Sequence, residues 1–240
     1  MNFLSNFNIV PDVEIEFLCT KQDWDVIPKP FPAGKFMPEW FKKLPPKVDK
    51  RNILENNTIK RCPPFIDAMT TGWIIPLCAD VQIQTNEDAS NIQTNWKFYK
   101  NVVETHSTKQ IEGHPHQRFP PMKFLNYWKI KVPKGYSVLF VPPINRPNEL
   151  FECIAGYVDC DLYHEYINFP FFFKKPNYEG VLLAGTPLVQ AIPIKRDSCI
   201  KDSTCRVFTD KEWEEVELTR RKRSSHESYY RDNLWIRNKP

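Results

Sequence analysis

Glycine is scarce: the chain has 7 glycines in 240 residues. A backbone cradle for phosphate needs several glycines close together, and no such loop occurs, so nucleotide- and dinucleotide-binding signatures are excluded. No G-x-S-x-G is present, which removes the nucleophile elbow of the α/β-hydrolases. No C-x-x-C occurs among the seven cysteines (Cys19, Cys62, Cys78, Cys153, Cys160, Cys199, Cys205). With an odd count and no redox or zinc spacing, they read as reduced thiols of a cytoplasmic protein. The N-terminus MNFLSNFNIVPDVE lacks a basic start and a long apolar run, so no secretory signal is expected. Apolar runs such as VLFVPPI are too short to cross a bilayer.

Proline, in contrast, is abundant, with 22 residues dispersed along the chain and often paired. That density opposes long helices and punctuates the hydrophobic runs with turns. Apolar residues at 41% and aromatics at 14% suffice for a core. Net charge is +4. Residues 220–240 hold seven Lys/Arg against two Asp/Glu, so the basic character is a C-terminal feature. A general nucleic-acid-binding surface is not implied.

Read for periodicity, the chain yields nine to eleven short strands. VEIEFLCT (13–20), WIIPLCADVQIQT, NWKFYK (95–100), VVETH (102–106), FLNYWKIKV (124–132) and KGYSVLFVPP are among them. FECIAGYVDCD (151–161), INFPFFFKK (167–175, bulged at Pro170) and EGVLLAGTPLVQAIPIKR (179–196, two strands) complete the set. Pro76 fits an edge or bulge position. MPEWFKKLP and CPPFIDAMTTGW predict short helices, the second ending near Gly72. Trp40, Phe41 and Leu44 would share a face of the first. Thr209 with Glu212 predicts a capped helix over about 210–224, acidic first and RRKR last. The expected architecture is all-β, a jelly-roll or cupin-like sandwich or barrel. Residues 1–61 form a strand and proline-rich arm, 62–208 the body, and 209–240 a helix and aromatic-basic tail. Tyr229, Tyr230, Trp235 and Ile236 should pack on the body or on a neighbouring chain.

PAGKFMPEWFKKLPP (32–46), CPPFIDAMTTGWIIPLCADV (62–81), INFPFFF (167–173) and GTPLVQAIPIKR (185–196) resemble a family of β-rich proteins from bacteria and tailed phages. The resemblance covers most of the chain. It implies a single jelly-roll or cupin-like domain in a cytosolic or phage-encoded setting, and it carries over no catalytic residue. VPKGYSVLFVPP (132–143) and YEGVLLAGTPLVQAIP (178–193) look like the turn-and-strand units of cupins. Cupins pair H-x-H with a downstream Glu and a later His; here neither follows His114 and His116 in the expected place.

Two function classes follow. The first is a non-enzymatic protein that binds through its surface or a pocket, a phage-encoded accessory or structural component, without cofactor. Arg146, in the stiff loop PPINR, could present a guanidinium to a ligand carboxylate or pair with Glu149 or Asp161. Asp161 and His164 belong to the polar–aromatic cluster DCDLYHEYINFP (159–170) and complete that candidate ligand set. The second class is a cupin-like oxygenase. His114 and His116, at i and i+2, would chelate Fe(II) or another divalent metal, with Glu165 as the third ligand. His164, Asp161, Glu104 and His106 are further candidates for that third position. Pro115 between the histidines favours a stiff polar turn instead. The expected partners are a small-molecule ligand or further copies of the chain, with neither nucleic acid nor membrane.

Overall fold

The computed structural model describes residues 14–48, 57–226 and 228–236. Val13 and the segment read above for a secretory signal lie outside these, as does the 49–56 stretch of the arm.

Proline density and β-branched runs produce many short antiparallel strands and few helices. Five strands form the largest sheet: β2 (Phe31–Pro32), β3 (Trp73–Pro76), β9 (Tyr136–Val141), β11 (Gly156–Val158) and β14 (Pro187–Lys195), in the order β11-β9-β14-β3-β2. A second sheet orders β10 (Phe151–Cys153), β12 (Phe169–Phe173), β7 (Pro121–Phe124) and β6 (Val103–Thr105). A third places β4 (Val81–Thr85) between β13 (Glu179–Leu182) and β5 (Ile92–Asn95). A two-stranded ribbon pairs β1 (Glu16–Leu18) with β8 (Lys129–Lys131). Helices α1 (Glu39–Lys43), α2 (Pro63–Thr70) and α3 (Asp210–Ser225) are joined by four short 3-10 segments and a π-helical turn at Tyr230–Leu234.

One apolar core joins the sheets. Phe124 stacks on Phe171 at 3.7 Å between centroids, and Phe140 of the largest sheet meets Phe169 of the second at 5.6 Å. β12 reads Phe-Pro-Phe-Phe-Phe with only Pro170 exposed. Pro170 pairs with Lys123 without a register shift, so no bulge forms there. Among the described strands, a register shift lies in β14 between Pro187 and Val189, beside Pro76. Gly72 adopts φ +73° after α2, and a side chain there would run into the carbonyl oxygen of Ala191. Only glycine fits that approach.

Four expected strands are corrected. WIIPLCADVQIQT, read as one strand, divides into β3 and β4, which belong to different sheets. NWKFYK contributes only Asn95 to a strand, because Trp96 and Phe98 turn into the core and Asp23 binds Tyr99 and Lys100. FLNYWKIKV breaks between β7 and β8, where Asn126 caps its own neighbourhood through Trp128 and Ile167. FECIAGYVDCD splits into β10 and β11, which belong to different sheets. In α1, Phe41 is buried while Trp40 is half exposed, yet both rings meet Phe65 of α2.

Candidate binding face

The residues singled out from sequence do not form one site. His114 and His116 lie in the turn after a 3-10 segment, and both rings lean on Phe172, at 5.0 and 5.5 Å. His114 Nδ1 accepts the His116 backbone N–H at 3.0 Å, leaving that ring one nitrogen for other work. Glu165 is exposed and accepts from the Tyr166 backbone N–H; His164 is exposed in the same loop. Glu104 pairs with Lys123. Among the described residues, no three of His, Cys, Asp and Glu gather into a group able to hold a metal ion. The donor set does not fit the metal that the cupin resemblance implies.

Arg146 is buried, both its terminal nitrogens are engaged inside the protein while its Nε is buried without a partner among the described residues, and the pair expected with Glu149 or Asp161 does not form. It donates to the carbonyls of Ala33, Phe36 and Met69 and to Gln190 Oε1. Gln190, also buried, donates in turn to the carbonyls of Ala68 and Thr71. These two side chains clamp the arm and α2 onto the largest sheet. Burial without a carboxylate lowers the Arg146 pKa to about 10. Asp161 instead accepts from both terminal nitrogens of Arg196 and from the Gly135 N–H. The Arg196 hydrogen bonds hold its carboxyl far below the usual range. Asp159 accepts from Ser137 and Arg196 in the same network.

Sequence reading missed a second buried carboxylate. Asp23 is fully buried and accepts from Thr20 Oγ1, Tyr99 Oη and Lys100 Nζ. Burial opposes its ionisation, but the hydrogen bonds from Lys100, Thr20 and Tyr99 outweigh it and leave the pKa below the ordinary value. The bond to Asp23 pushes the Tyr99 phenol up to about 12. Lys100 also lies over the rings of Tyr99 and Tyr127. The group fastens the 20–27 turn to the 96–101 loop.

A concavity lies elsewhere, on the outer face of β13-β4-β5. It is a groove of about 410 Å³ along Gln82, Gln84, Gln93, Asn95, Glu179 and Val181. Alternation builds it. On β4, Val81, Ile83 and Thr85 point into the core and Gln82 and Gln84 point out. β5 does the same with Gln93 and Asn95. The register places Glu179, Gln84 and Gln93 in one cross-strand row, and Val181, Gln82 and Asn95 in the next. On the inner face, Gly180 makes room for the Tyr178 ring.

The sheet is fixed at both ends. Thr85 Oγ1 donates to the Lys175 carbonyl and accepts the Tyr178 N–H, while Asp80 accepts the Ala184 N–H. The β4–β5 turn is tied by Asn86 to Ser90 and Asn91 and by Asp88 to Ser90. Among the described residues, the side chains of Gln82, Gln84, Gln93 and Glu179 have no hydrogen-bond partner; Asn95 caps the Trp96 N–H. The sequence signal was the alternation V-Q-I-Q-T followed by I-Q-T-N, two strands with amides on every outward position.

Neither a family model nor a curated protein matches the chain. Among the described residues, no helix is long and apolar enough to cross a membrane.

Proposed function

We propose that this is a non-enzymatic binding protein that takes a neutral, hydroxyl-rich ligand, an oligosaccharide, on the outer face of β13-β4-β5. The carrying observation is the ordered rank of four carboxamides, three of them without internal partners among the described residues, along a groove of about 410 Å³. A carboxamide both donates and accepts, as a sugar hydroxyl does. A rigid sheet presents such groups in fixed rows, which limits the ordering cost of binding. Val181 adds an apolar contact for the sugar C–H face, and Glu179 an acceptor. Groove volume falls in the range of small-molecule sites.

The body is a jelly-roll-like sandwich in this reading, supported by the two larger sheets sharing one aromatic core. The likeness to β-rich proteins of bacteria and tailed phages supports an accessory or structural role, in a host cytoplasm or a virion. A glycan array probed with the purified protein tests the function. Binding to neutral oligosaccharides should appear, and should be lost in Gln84→Ala/Gln93→Ala with the melting temperature unchanged. An array without neutral-glycan binding, or unchanged binding by the double variant, refutes the proposal.

A further inference from the structure

The C-terminal helix α3 packs no residue into the described body. Residues 199–208 are exposed throughout, and the 16 residues of α3 that follow include none that is buried. After α3 the chain returns to the body: Trp235 Nε1 donates to the Asp67 carboxylate at 3.1 Å, and Arg61 to Ser228 at 3.3 Å. Thus α3 is tethered at both ends.

One side of the helix is served from within the chain. Phe208 meets Trp213 at 5.8 Å, Arg220 lies over the same indole, and Arg206 pairs with Glu212. The opposite side carries Lys211, Glu214, Glu215, Leu218, Arg221, Lys222 and Ser225, by the 3.6-residue period. Leu218 is 52% exposed. Among the described residues, the five charged groups of that side form no ion pair.

Their order is self-complementary. On that side Glu214 and Glu215 precede Leu218, which lies beside the midpoint, and Arg221 and Lys222 follow it; Lys211 stands one turn before the acids. We propose that α3 pairs with α3 of a second copy of this chain, antiparallel, about a two-fold axis passing near Leu218. The two Leu218 side chains then touch, Glu214 faces Arg221 of the second copy, Glu215 faces Lys222, and Lys211 faces Ser225. A parallel pair would instead oppose acid with acid and base with base, at a cost. An isologous two-fold contact of this kind closes as a dimer and does not propagate. With a single leucine per helix and exposed ion pairs, the association is weak and salt-sensitive.

Sedimentation velocity on the full chain tests this. At about 0.05 M salt the wild type should show a concentration-dependent species of twice the 28.4 kDa chain mass, which dissociates at about 1 M salt. Glu214→Lys/Glu215→Lys and Arg221→Glu/Lys222→Glu should each be monomeric. Mixing the two should restore the dimer as a heterodimer, and the fourfold variant should dimerise with itself. Circular dichroism checks that each variant keeps its secondary structure. A wild type monomeric at low salt, or charge variants that self-associate like the wild type, would overturn the proposal. So would a mixture of the two variants that stays monomeric.

Discussion

Single buried polar residues hold this fold where prolines deny it long regular elements. Arg146 serves three carbonyls and Gln190, so removing it leaves several buried acceptors without donors. Arg146→Met should lower unfolding stability by at least about 3 kcal/mol, measured as a fall in urea midpoint; a change within about 0.5 kcal/mol, the usual scale of a surface substitution, contradicts the clamp. Asp23 makes a pH-dependent contribution. Its folded pKa is depressed, so its stabilisation is complete above the unfolded aspartate value of about 3.9 and is lost as pH falls through the folded pKa. Asp23→Asn should therefore be less stable than wild type at neutral pH, with the gap closing below about pH 4. A gap constant with pH would remove Asp23 from the account. Asp23 was not legible as structural in the sequence. For Arg146 an internal pair was legible but its partners were not: PPINR suggests Glu149 or Asp161, whereas its acceptors come from 33–36, 69 and 190, far away along the chain.

At the scale of elements, local signals read well and partners read badly. The capping pair Thr209 and Glu212, the proline before α1 and the glycine after α2 are local chemistry, and each stands where the sequence places it. The alternation of β4 was visible too. What periodicity could not show is which sheet a strand joins. FECIAGYVDCD looks continuous but serves two sheets, and NWKFYK alternates like a strand while its aromatic residues anchor a loop. In the same way, H-x-H suggests a metal only until long-range contacts are known: here the rings cover Phe172. Because α3 has no buried residue, its stability is local. Thr209→Ala should cost the helix about 1 kcal/mol and speed amide exchange in its first turn, while the melting temperature of the body stays unchanged. A shift of the whole unfolding curve would mean that α3 is part of the cooperative core.

Across the molecule, burial sorts the seven cysteines. Cys78, Cys153 and Cys160 are buried, and desolvation raises all three thiols, Cys78 to about 11 and Cys160 to about 12. Cys199 and Cys205 are exposed on the segment leading to α3. Titration with a thiol reagent at neutral pH should label Cys199 and Cys205 first, Cys19 and Cys62 more slowly, and the three buried thiols only on unfolding. Rapid native labelling of Cys153 would contradict the single aromatic core. That core covers the inner face of β13-β4-β5, alternation turns the amides outward, and the proposed function depends on this. The most direct test follows the side-chain carboxamide NMR signals of Gln82, Gln84, Gln93 and Asn95 while a neutral oligosaccharide is added. The account predicts saturable shifts confined to these amides and the backbone of β4, β5 and β13. Shifts centred on His114 and His116, or a ligand that binds while leaving all four amides unmoved, would contradict it.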